Sequence, residues 1–214
     1  MPFLQNHDQV GNRALGERLA SLAEPAALRL ATATLLLAPA VPLLFMGEEY
    51  AASTPFLYFC DFAGKLADDV REGRRREFAA FVRFRDPAAR DRIPDPGAEE
   101  TFLRSKLDWE EREEGAHTKW LRLYRTLLAV RAKRIVPHLD GKRFGARFET
   151  VGDGGLAVDW TLADGARLHL RANFSAGRCD AMSAAPGDLL HAEGSAAREA
   201  GRAPWSGAWT LEAG

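Results

Sequence analysis

Residues 25–49 decide the fold, and they read PAALRLATATLLLAPAVPLLFMGEE. The first half begins at Pro25, which suits the first turn of a helix, and repeats apolar side chains at helical spacing up to residue 38. Pro39 ends this helix, because proline has no backbone N–H with which to continue it. The apolar run 41–46 predicts a buried strand, and two acidic residues follow it closely. The stretch therefore predicts a helix that packs on a sheet, and then a strand that ends at acidic side chains.

A second apolar run opens onto polar side chains near the start of the chain. Phe3 and Leu4 lead directly into the polar sequence QNHDQ at 5–9. With the predicted helix and the 41–46 strand, this gives the order strand, helix, strand, which is typical of a βαβ unit. Sites in such sheets lie at the carboxyl ends of the strands. We therefore expect the polar residues after both strands to lie at one edge of a parallel sheet.

The rest of the chain predicts helices and then a small antiparallel domain. The pattern predicts charged amphipathic helix within 61–85, a long Pro-rich excursion at 86–114 and a helix at 117–134. Beyond residue 137, alternating apolar and polar side chains separated by Gly- and Asp-rich turns predict strands near 147–151, 156–162, 167–174 and 204–211. We therefore divide the chain into residues 1–137 and a β-sandwich-like domain at 138–214.

Composition argues against several classes of function. The chain has 214 residues with 29 Lys and Arg against 30 Asp and Glu, so it lacks the basic excess of a nucleic-acid-binding protein. Cys60 and Cys179 form no CxxC or Cys/His cluster, which predicts no metal site and favours a reducing cytoplasm. Pro39 and Pro42 interrupt the apolar stretch 26–46, so we expect no membrane span there. The sequence shows no signal-peptide pattern and predicts no cofactor.

The sharpest chemical signal is Asn6-His7-Asp8, at the predicted end of a strand. A carboxylate such as Asp8 orients sugar hydroxyls, since it accepts two strong hydrogen bonds, and glycoside hydrolysis needs carboxylates near the anomeric carbon. A neutral His7 can donate to a hydroxyl without adding charge. The same residue types also suit a metal site, a His that activates a nucleophile, or a structural pair.

Two motifs together narrow this choice. FLQNHD at 3–8, followed about 35 residues later by VPLLFMGEE at 41–49, is similar to the segments at the seventh and eighth barrel strands of the α-amylase family, glycoside hydrolase family 13. NHDQVGNRA at 6–14, LLFMGEEY at 43–50 and REGRRREF at 71–78 are more particularly similar to the members of that family that release trehalose. The resemblance implies an α/β fold, the C-terminal portion of a (β/α)8 TIM barrel followed by a small antiparallel β-domain.

The resemblance also implies roles for six residues. Asp8 corresponds to the family's third carboxylate, a transition-state stabiliser that binds the hydroxyls of the sugar at the cleavage point. His7 then hydrogen-bonds the same sugar. The other implied site residues hold the loop, shape the pocket or brace its floor, and they are Asn6, Gln9, Asn12 and Glu49.

The chain departs from the family in one respect that decides its activity. The nucleophilic Asp and the acid/base Glu of the family come from earlier barrel strands, and neither Glu48 nor Glu49 matches their positions. A retaining glycosidase needs two carboxyl groups about 5–5.5 Å apart. The implied substrate is a malto-oligosyltrehalose or another α-1,4-glucan, and the implied partner is the missing N-terminal part of the barrel. We therefore expect the chain alone to be inactive.

Other interpretations stay open at this point. Another α-amylase-family enzyme, such as a branching or debranching enzyme, and a non-catalytic glucan-binding module are the alternatives. The basic run 71–76 is expected to be a solvated helix face rather than a ligand site. Trp109 in the long excursion is a candidate for stacking on a sugar, whereas Phe56 and Phe59 suit a cleft or a core equally. The β-domain is interpreted as a cap on the barrel or a glucan-binding module.

Overall fold

The computed structural model describes residues 1–141, 145–194 and 201–214. Its α-helices are α1 (His7–Gly11), α2 (Leu19–Leu22), α3 (Pro25–Leu37), α4 (Gly64–Phe78), α5 (Pro87–Arg90), α6 (Glu99–Leu103) and α7 (Gly115–Val130). Its strands are β1 (Gly145–Val151), β2 (Gly155–Thr161), β3 (Arg167–Asn173), β4 (Asp188–Glu193) and β5 (Ser206–Glu212). Short 3-10 turns lie at Glu48–Tyr50, Val82–Phe84, Glu111–Glu113 and Val136–His138, and a π-helical turn at Arg131–Ile135 continues α7.

The chain folds into two compact units that interleave along the sequence. The first, here called the sheet unit, consists of Met1–Leu4, Ala23–Leu43 and Arg122–Gly214. The second, here called the loop unit, consists of Gln5–Leu22 and Leu44–Leu121. The predicted division into domains 1–137 and 138–214 stays a prediction.

The sheet unit is built on five strands in the order β1-β2-β3-β5-β4, and all neighbouring strands are antiparallel. The β1–β2 hairpin pairs Val151 with Gly155, as the Gly-rich turn between them predicts. The prediction of an antiparallel domain is confirmed. Strand β4 was missed, because only its last four residues alternate apolar and polar types. The described residues form one sheet and do not include the second sheet that a sandwich requires.

Helix α3 packs on one face of this sheet. Leu168, Leu170 and Trp209 form the buried core of that face and have no exposed surface. At Gly207 in β5, a Cβ atom would lie 2.8 Å from Cδ1 of Leu30 in α3, so only glycine lets the helix approach this closely. The predicted helix is therefore confirmed within a residue of its bounds. Its sheet, however, is the antiparallel one.

The two predicted parallel strands do not appear as regular strands. The segments before His7 and at 41–46 have no ladder pairing, and Val41 is 66% exposed rather than buried. One backbone hydrogen bond joins them, from the N–H of Leu43 to the carbonyl oxygen of Pro2 at 2.9 Å. A strand in a parallel sheet is stabilised by neighbours on both sides, and among the described residues these segments have only each other. The prediction of a buried strand at 41–46 is wrong for this chain, and the barrel remains a proposal.

Helix bounds differ from the predicted ones where glycine or proline intervenes. A short helix was predicted at 13–22, but only Leu19–Leu22 is helical, since Gly16 adopts a left-handed conformation with φ of +61°. The 61–85 region contains α4, which ends at Phe78. The Pro-rich excursion contains α5 and α6, two short helices that the sequence pattern did not indicate.

A buried arginine closes the C-terminal end of α3. The guanidinium of Arg131, which is 8% exposed, donates to the carbonyl oxygens of Leu36 at 3.0 Å, Pro39 at 3.2 Å and Ala40 at 2.8 Å, and also to that of Ala38. The last carbonyls of a helix have no partner within it, and they carry the negative end of the helix dipole. Burial lowers the pKa of Arg131, while the ring of carbonyl oxygens replaces the water it has lost.

We predict that Arg131→Met destabilises the sheet unit by about 2–4 kcal/mol, because four buried carbonyls lose a charged donor. Urea unfolding followed by circular dichroism measures this change. The matched control is Arg134→Met, since Arg134 is 46% exposed and makes one ion pair with Asp188 at 3.4 Å. The control is expected to cost less than about 1 kcal/mol. Equal losses in the two variants would show that Arg131 does not stabilise the end of α3.

A second buried charge ties α3 to strand β4. The carboxylate of Glu193, 6% exposed, accepts hydrogen bonds from Nε of Arg29 at 2.9 Å, from the terminal NH2 of Arg29 at 3.1 Å and from Nε2 of His191 at 2.9 Å. Burial alone would raise the pKa of Glu193, but the His191 hydrogen bond and the Arg29 charge outweigh it and hold the pKa below its usual 4.5.

The lowered pKa of Glu193 predicts an acid-labile sheet unit. A carboxyl group whose pKa is lower in the folded state stabilises the fold above its unfolded pKa, and this stabilisation is lost as the pH falls through the folded value. The free energy of unfolding is therefore expected to fall below about pH 4.5, and to fall less steeply in Glu193→Gln. Glu149→Gln, at an exposed position of β1, is the control. Parallel pH profiles for all three proteins would contradict the assignment.

Candidate functional site

Five of the six predicted site residues lie in helix α1 or cap it. Asn6 is the N-cap of this helix, with an extended backbone and a side-chain oxygen that accepts from the N–H of Gln9 at 2.9 Å. Asparagine is a preferred residue at this position, because it satisfies one of the free N–H groups of the first turn. Asn12 forms the other end of the helix as its C-cap. The motif thus fixes its own local shape within seven residues.

His7 and Asp8 lie in the first turn of α1 and face solvent. Their side chains are 71% and 70% exposed, and Nε2 of His7 lies 3.3 Å from Oδ1 of Asp8. Gln9 and Asn12 are also exposed. An exposed carboxylate beside an imidazole can accept two hydroxyl hydrogen bonds while its neighbour donates or accepts another. This arrangement suits a polyhydroxylated ligand, and Asp8 is not buried in an ion pair.

The acidic residues after the 41–46 segment form a tight 3-10 turn. Gly47 before it and Ala51 after it both adopt left-handed conformations, with φ of +83° and +55°. Within the turn Glu48 is 6% exposed and Glu49 is half-buried. Sequence reasoning selected Glu49 by its motif position, but it gave no sign that Glu48 is the more buried of the two.

Arg18 ties this turn to the segment that carries Asp8. Its guanidinium, 3% exposed, donates to the carbonyl oxygens of Met46 and Thr54, each at 2.7 Å, and lies 5.2 Å from the ring centroid of Phe45. Burial lowers the pKa of Arg18, and the nearby phenol and carboxylates of Tyr50, Glu49 and others partly offset this. Sequence reasoning missed Arg18, since a single arginine in a loop shows no pattern.

Arg74 holds the end of α1 and the residues just after it. One of its terminal nitrogens donates to the carbonyl oxygens of Gly11 and Arg13, both at 3.2 Å. Its guanidinium lies 4.5 Å from the ring centroid of Tyr58 and 5.4 Å from that of Phe78. The expectation that the basic run 71–76 is a solvated face is therefore wrong for Arg74. Phe78 follows Arg74 by four positions and so lies on the same face of α4. That buried apolar neighbour is the feature of the sequence that could have indicated that Arg74 is buried.

Metal-binding clusters and membrane-spanning helices are two further features that bear on function. Among the residues it describes, no three or more His, Cys, Asp or Glu side chains come together in a way that could hold a metal ion. In the same part of the chain, no helix has the length and apolar character needed to cross a bilayer.

Comparison with known proteins identifies the relatives of the chain. A family model described as a domain of unknown function, DUF3459, matches residues 143–209. A protein of Salmonella typhimurium, provisionally described as an α-amylase, has a crystal structure that superposes with a TM-score of 0.85 at 43% identity, over 98% of this chain and 34% of that one. The trehalulose synthase of Pseudomonas mesoacidophila MX-45 superposes at 0.55 with 16% identity, over 99% of this chain and 43% of that one, and shows the fold alone. The chain is therefore similar in sequence and fold to the Salmonella typhimurium protein, of which it spans about a third.

The curated proteins that the chain is similar to all have the same activity in their names. The malto-oligosyltrehalose trehalohydrolase of Deinococcus radiodurans is 51% identical over 135 residues, 63% of this chain and 22% of that protein. Its counterpart from Rhizobium sp. strain M-11 is 46% identical over 170 residues, 75% of this chain and 27% of that protein. The chain is similar to malto-oligosyltrehalose trehalohydrolases, as its motifs predicted. It spans 22% and 27% of the length of these two relatives.

We predict that Gly47→Ala destabilises the loop unit by about 1–3 kcal/mol. Its left-handed backbone disfavours a side chain, and an added Cβ would lie 2.6 Å from Cδ2 of Leu107 and 2.9 Å from Cβ of Ala52. Gly73→Ala, in the middle of α4 with 4.0 Å to the nearest neighbouring atom, is the control and should stabilise by about 0.5–1 kcal/mol. Thermal unfolding measures both changes. A neutral or stabilising Gly47→Ala would contradict the strained turn.

Proposed function

We propose that this chain forms the C-terminal part of an α-1,4-glucan glycosidase that releases trehalose from malto-oligosyltrehaloses. The observation that carries the proposal is Asp8, an exposed carboxylate at the start of α1, whose helix Asn6 caps and whose following loop Arg74 holds. The similarity to trehalohydrolases supports the choice of substrate. The complete active site then lies at the carboxyl edge of a (β/α)8 barrel, of which this chain forms the last part.

Asp8 acts in this proposal by binding rather than by proton transfer. Its carboxylate accepts hydrogen bonds from hydroxyl groups of the sugar at the cleavage point, and these bonds shorten as the ring flattens toward an oxocarbenium ion. An interaction that strengthens in the transition state lowers the barrier, whereas one of constant strength only tightens binding. His7 hydrogen-bonds the same sugar in this proposal. Its Nε2 atom lies 3.3 Å from Oδ1 of Asp8, so both side chains can reach one sugar unit.

The other predicted residues support this pair. Asn6 holds the first turn through its cap, and Gln9 and Asn12 form exposed polar walls beside it. Glu49 braces the floor of the site from the turn that Arg18 anchors through Met46. Both cysteines are unpaired, which fits a reducing cytoplasm as the compartment of the protein.

A retaining mechanism requires a nucleophile and an acid/base carboxyl group about 5–5.5 Å apart. Asp8 fills neither role in this proposal, and Glu48 is buried within its turn. We therefore assign both roles to residues of the proposed barrel that lie outside this chain. The purified 214-residue chain is expected to release no trehalose from malto-oligosyltrehaloses. Turnover above a mock preparation would overturn this part of the proposal.

The test of the function uses a hybrid protein. In it, this chain replaces the equivalent C-terminal part of the Deinococcus radiodurans trehalohydrolase, which is 51% identical over 135 residues. The hybrid is expected to release trehalose, and Asp8→Asn is expected to lower kcat about a hundredfold to a thousandfold, because a neutral amide stabilises less developing charge. Asp153→Asn, in the exposed β1–β2 turn, is the control and should leave kcat unchanged.

Two results would contradict the proposal. A hybrid whose Asp8→Asn variant keeps its full kcat would remove the carboxylate from the transition state. A hybrid that cleaves unmodified α-1,4-glucan as well as it cleaves malto-oligosyltrehalose would assign the chain to a different enzyme of the same family.

A further inference from the structure

A cavity of about 270 Å³ lies in the loop unit, outside the group of residues assigned above. We call it the aromatic groove, and its lining is Met46, Phe56, Phe59, Phe102, Leu107 and Trp109, with Ser105 and Lys106. Three of its rings are open to solvent, since Phe59 is 38%, Phe102 is 46% and Trp109 is 55% exposed. Large aromatic surfaces gathered in one exposed patch are typical of a binding site rather than of a protein surface in general.

The rings of the groove are held in fixed positions. Phe56 lies edge-to-face on Phe59 at a centroid distance of 5.8 Å, and Phe59 lies edge-to-face on Phe102 at 5.3 Å. Trp109 lies 6.2 Å from the ring of Tyr50 and 5.8 Å from the guanidinium carbon of Arg112. Rings that are ordered before a ligand arrives lose little entropy when it binds, so the groove is preorganised.

The segment that carries these rings is anchored by polar contacts behind it. Oγ of Ser105, itself buried, accepts from the N–H of Leu57 at 3.0 Å and donates to the carbonyl oxygen of Thr101 at 2.9 Å. The hydroxyl of Tyr50 donates to the carbonyl oxygen of Asp108 at 3.3 Å. These bonds hold both sides of the groove in place, and they leave its aromatic floor uncovered.

One wall of the groove packs on the helix that carries the candidate site. At Gly11, the last residue of α1, an added Cβ would lie 3.5 Å from the ring of Phe56, so this ring packs on the helix that carries Asp8. The N–H of Phe56 also donates to the carbonyl oxygen of Gly16 at 3.0 Å. Met46 lines the groove and is the residue whose carbonyl oxygen Arg18 binds. One end of the groove therefore lies beside the helix that carries Asp8.

The chemistry of the groove matches one occupant. A glucose ring has a face of C–H groups that packs on aromatic rings and a rim of hydroxyl groups that needs polar partners. The floor of the groove is aromatic and aliphatic, and Ser105 and the exposed Lys106 supply its polar lining. An anionic ligand is disfavoured, because residues 104–114 carry five acidic side chains against three basic ones. The cavity has the size of about one monosaccharide unit.

We propose that the aromatic groove is a subsite that binds a glucose unit of an α-glucan chain one or more units away from the Asp8 sugar. This inference rests on the proposed function and extends it. Trp109 supplies the main stacking surface, and Phe102 and Phe59 continue it. The subsite selects for chains long enough to reach from α1 to Trp109, so it favours malto-oligosyltrehaloses over trehalose itself.

The test measures binding to the 214-residue chain by titration calorimetry with maltohexaose. Trp109→Ala is expected to weaken the affinity about tenfold, since it removes most of the stacking area, and Trp109→Phe to retain most of it. Phe102→Ala is expected to weaken binding by a smaller factor. Phe148→Ala is the matched control, because Phe148 is an aromatic residue of β1 that is 76% exposed. Cellohexaose, with a different chain geometry, is expected to bind more weakly than maltohexaose.

The possible results separate this inference from the function. Unchanged affinity in Trp109→Ala and Phe102→Ala, or no binding by the parent chain, overturns the subsite even if Asp8→Asn inactivates the hybrid. Weakened binding in Trp109→Ala, together with a fully active Asp8→Asn hybrid, supports the groove and overturns the role of Asp8. If sedimentation shows that the parent chain self-associates and that Trp109→Ala abolishes this, the groove is a protein interface and the inference is wrong.

Discussion

The geometry of the candidate site depends on two buried guanidinium groups that bind backbone carbonyl oxygens. Residues 5–22 contain only two short helices, so helical hydrogen bonds alone leave much of this backbone unpaired. Arg74 takes up the carbonyl oxygens just after α1, and Arg18 takes up those on both sides of the acidic turn. An arginine presents five donors in a rigid fork, which lets one side chain fix two stretches of chain at once. The same device recurs in the sheet unit, where Arg131 closes the end of α3.

This use of arginine explains how an exposed carboxylate can be precisely held. Asp8 is 70% exposed, so packing around its own side chain does little to orient it. Its position is set by the backbone beneath it, through the Asn6 cap and the Arg74 bonds. The carboxylate thus remains exposed to a ligand, while hydrogen bonds hold the backbone that carries it. A binding site whose functional groups face solvent needs this kind of support from the backbone and from the side chains that bind it.

The sequence predicted those parts of the fold that depend on local pattern. Helix α3 and the β1–β2–β3 meander follow from apolar periodicity and Gly-rich turns, and they appear within one or two residues of the predicted bounds. The 41–46 segment was predicted wrongly, since a buried parallel strand depends on neighbouring strands that the described residues do not supply. Its apolar composition favours a buried position, but whether the segment is buried depends on which strands lie beside it.

The site was predictable to a similar degree. The Asn6–Asp8 motif could be found in the sequence because it is short and contiguous, but its place in the first turn of α1 was not predicted. The burial of Glu48 and the anchoring roles of Arg18 and Arg74 did not follow, because they depend on contacts across 28 to 63 positions of the chain. Long-range hydrogen bonds to backbone carbonyls leave no periodic trace in a single sequence. They are visible only once the loops are folded.

The central claim is that Asp8 faces a sugar, and a crystal structure of the hybrid trehalohydrolase with a bound malto-oligosaccharide tests it most directly. The account predicts both carboxylate oxygens of Asp8 within about 2.5–3.0 Å of hydroxyl groups on a single glucose unit. It further predicts that His7 contacts the same unit. A bound sugar that leaves Asp8 in contact with solvent alone, or an Asp8 that turns into an ion pair within the protein, would contradict the account.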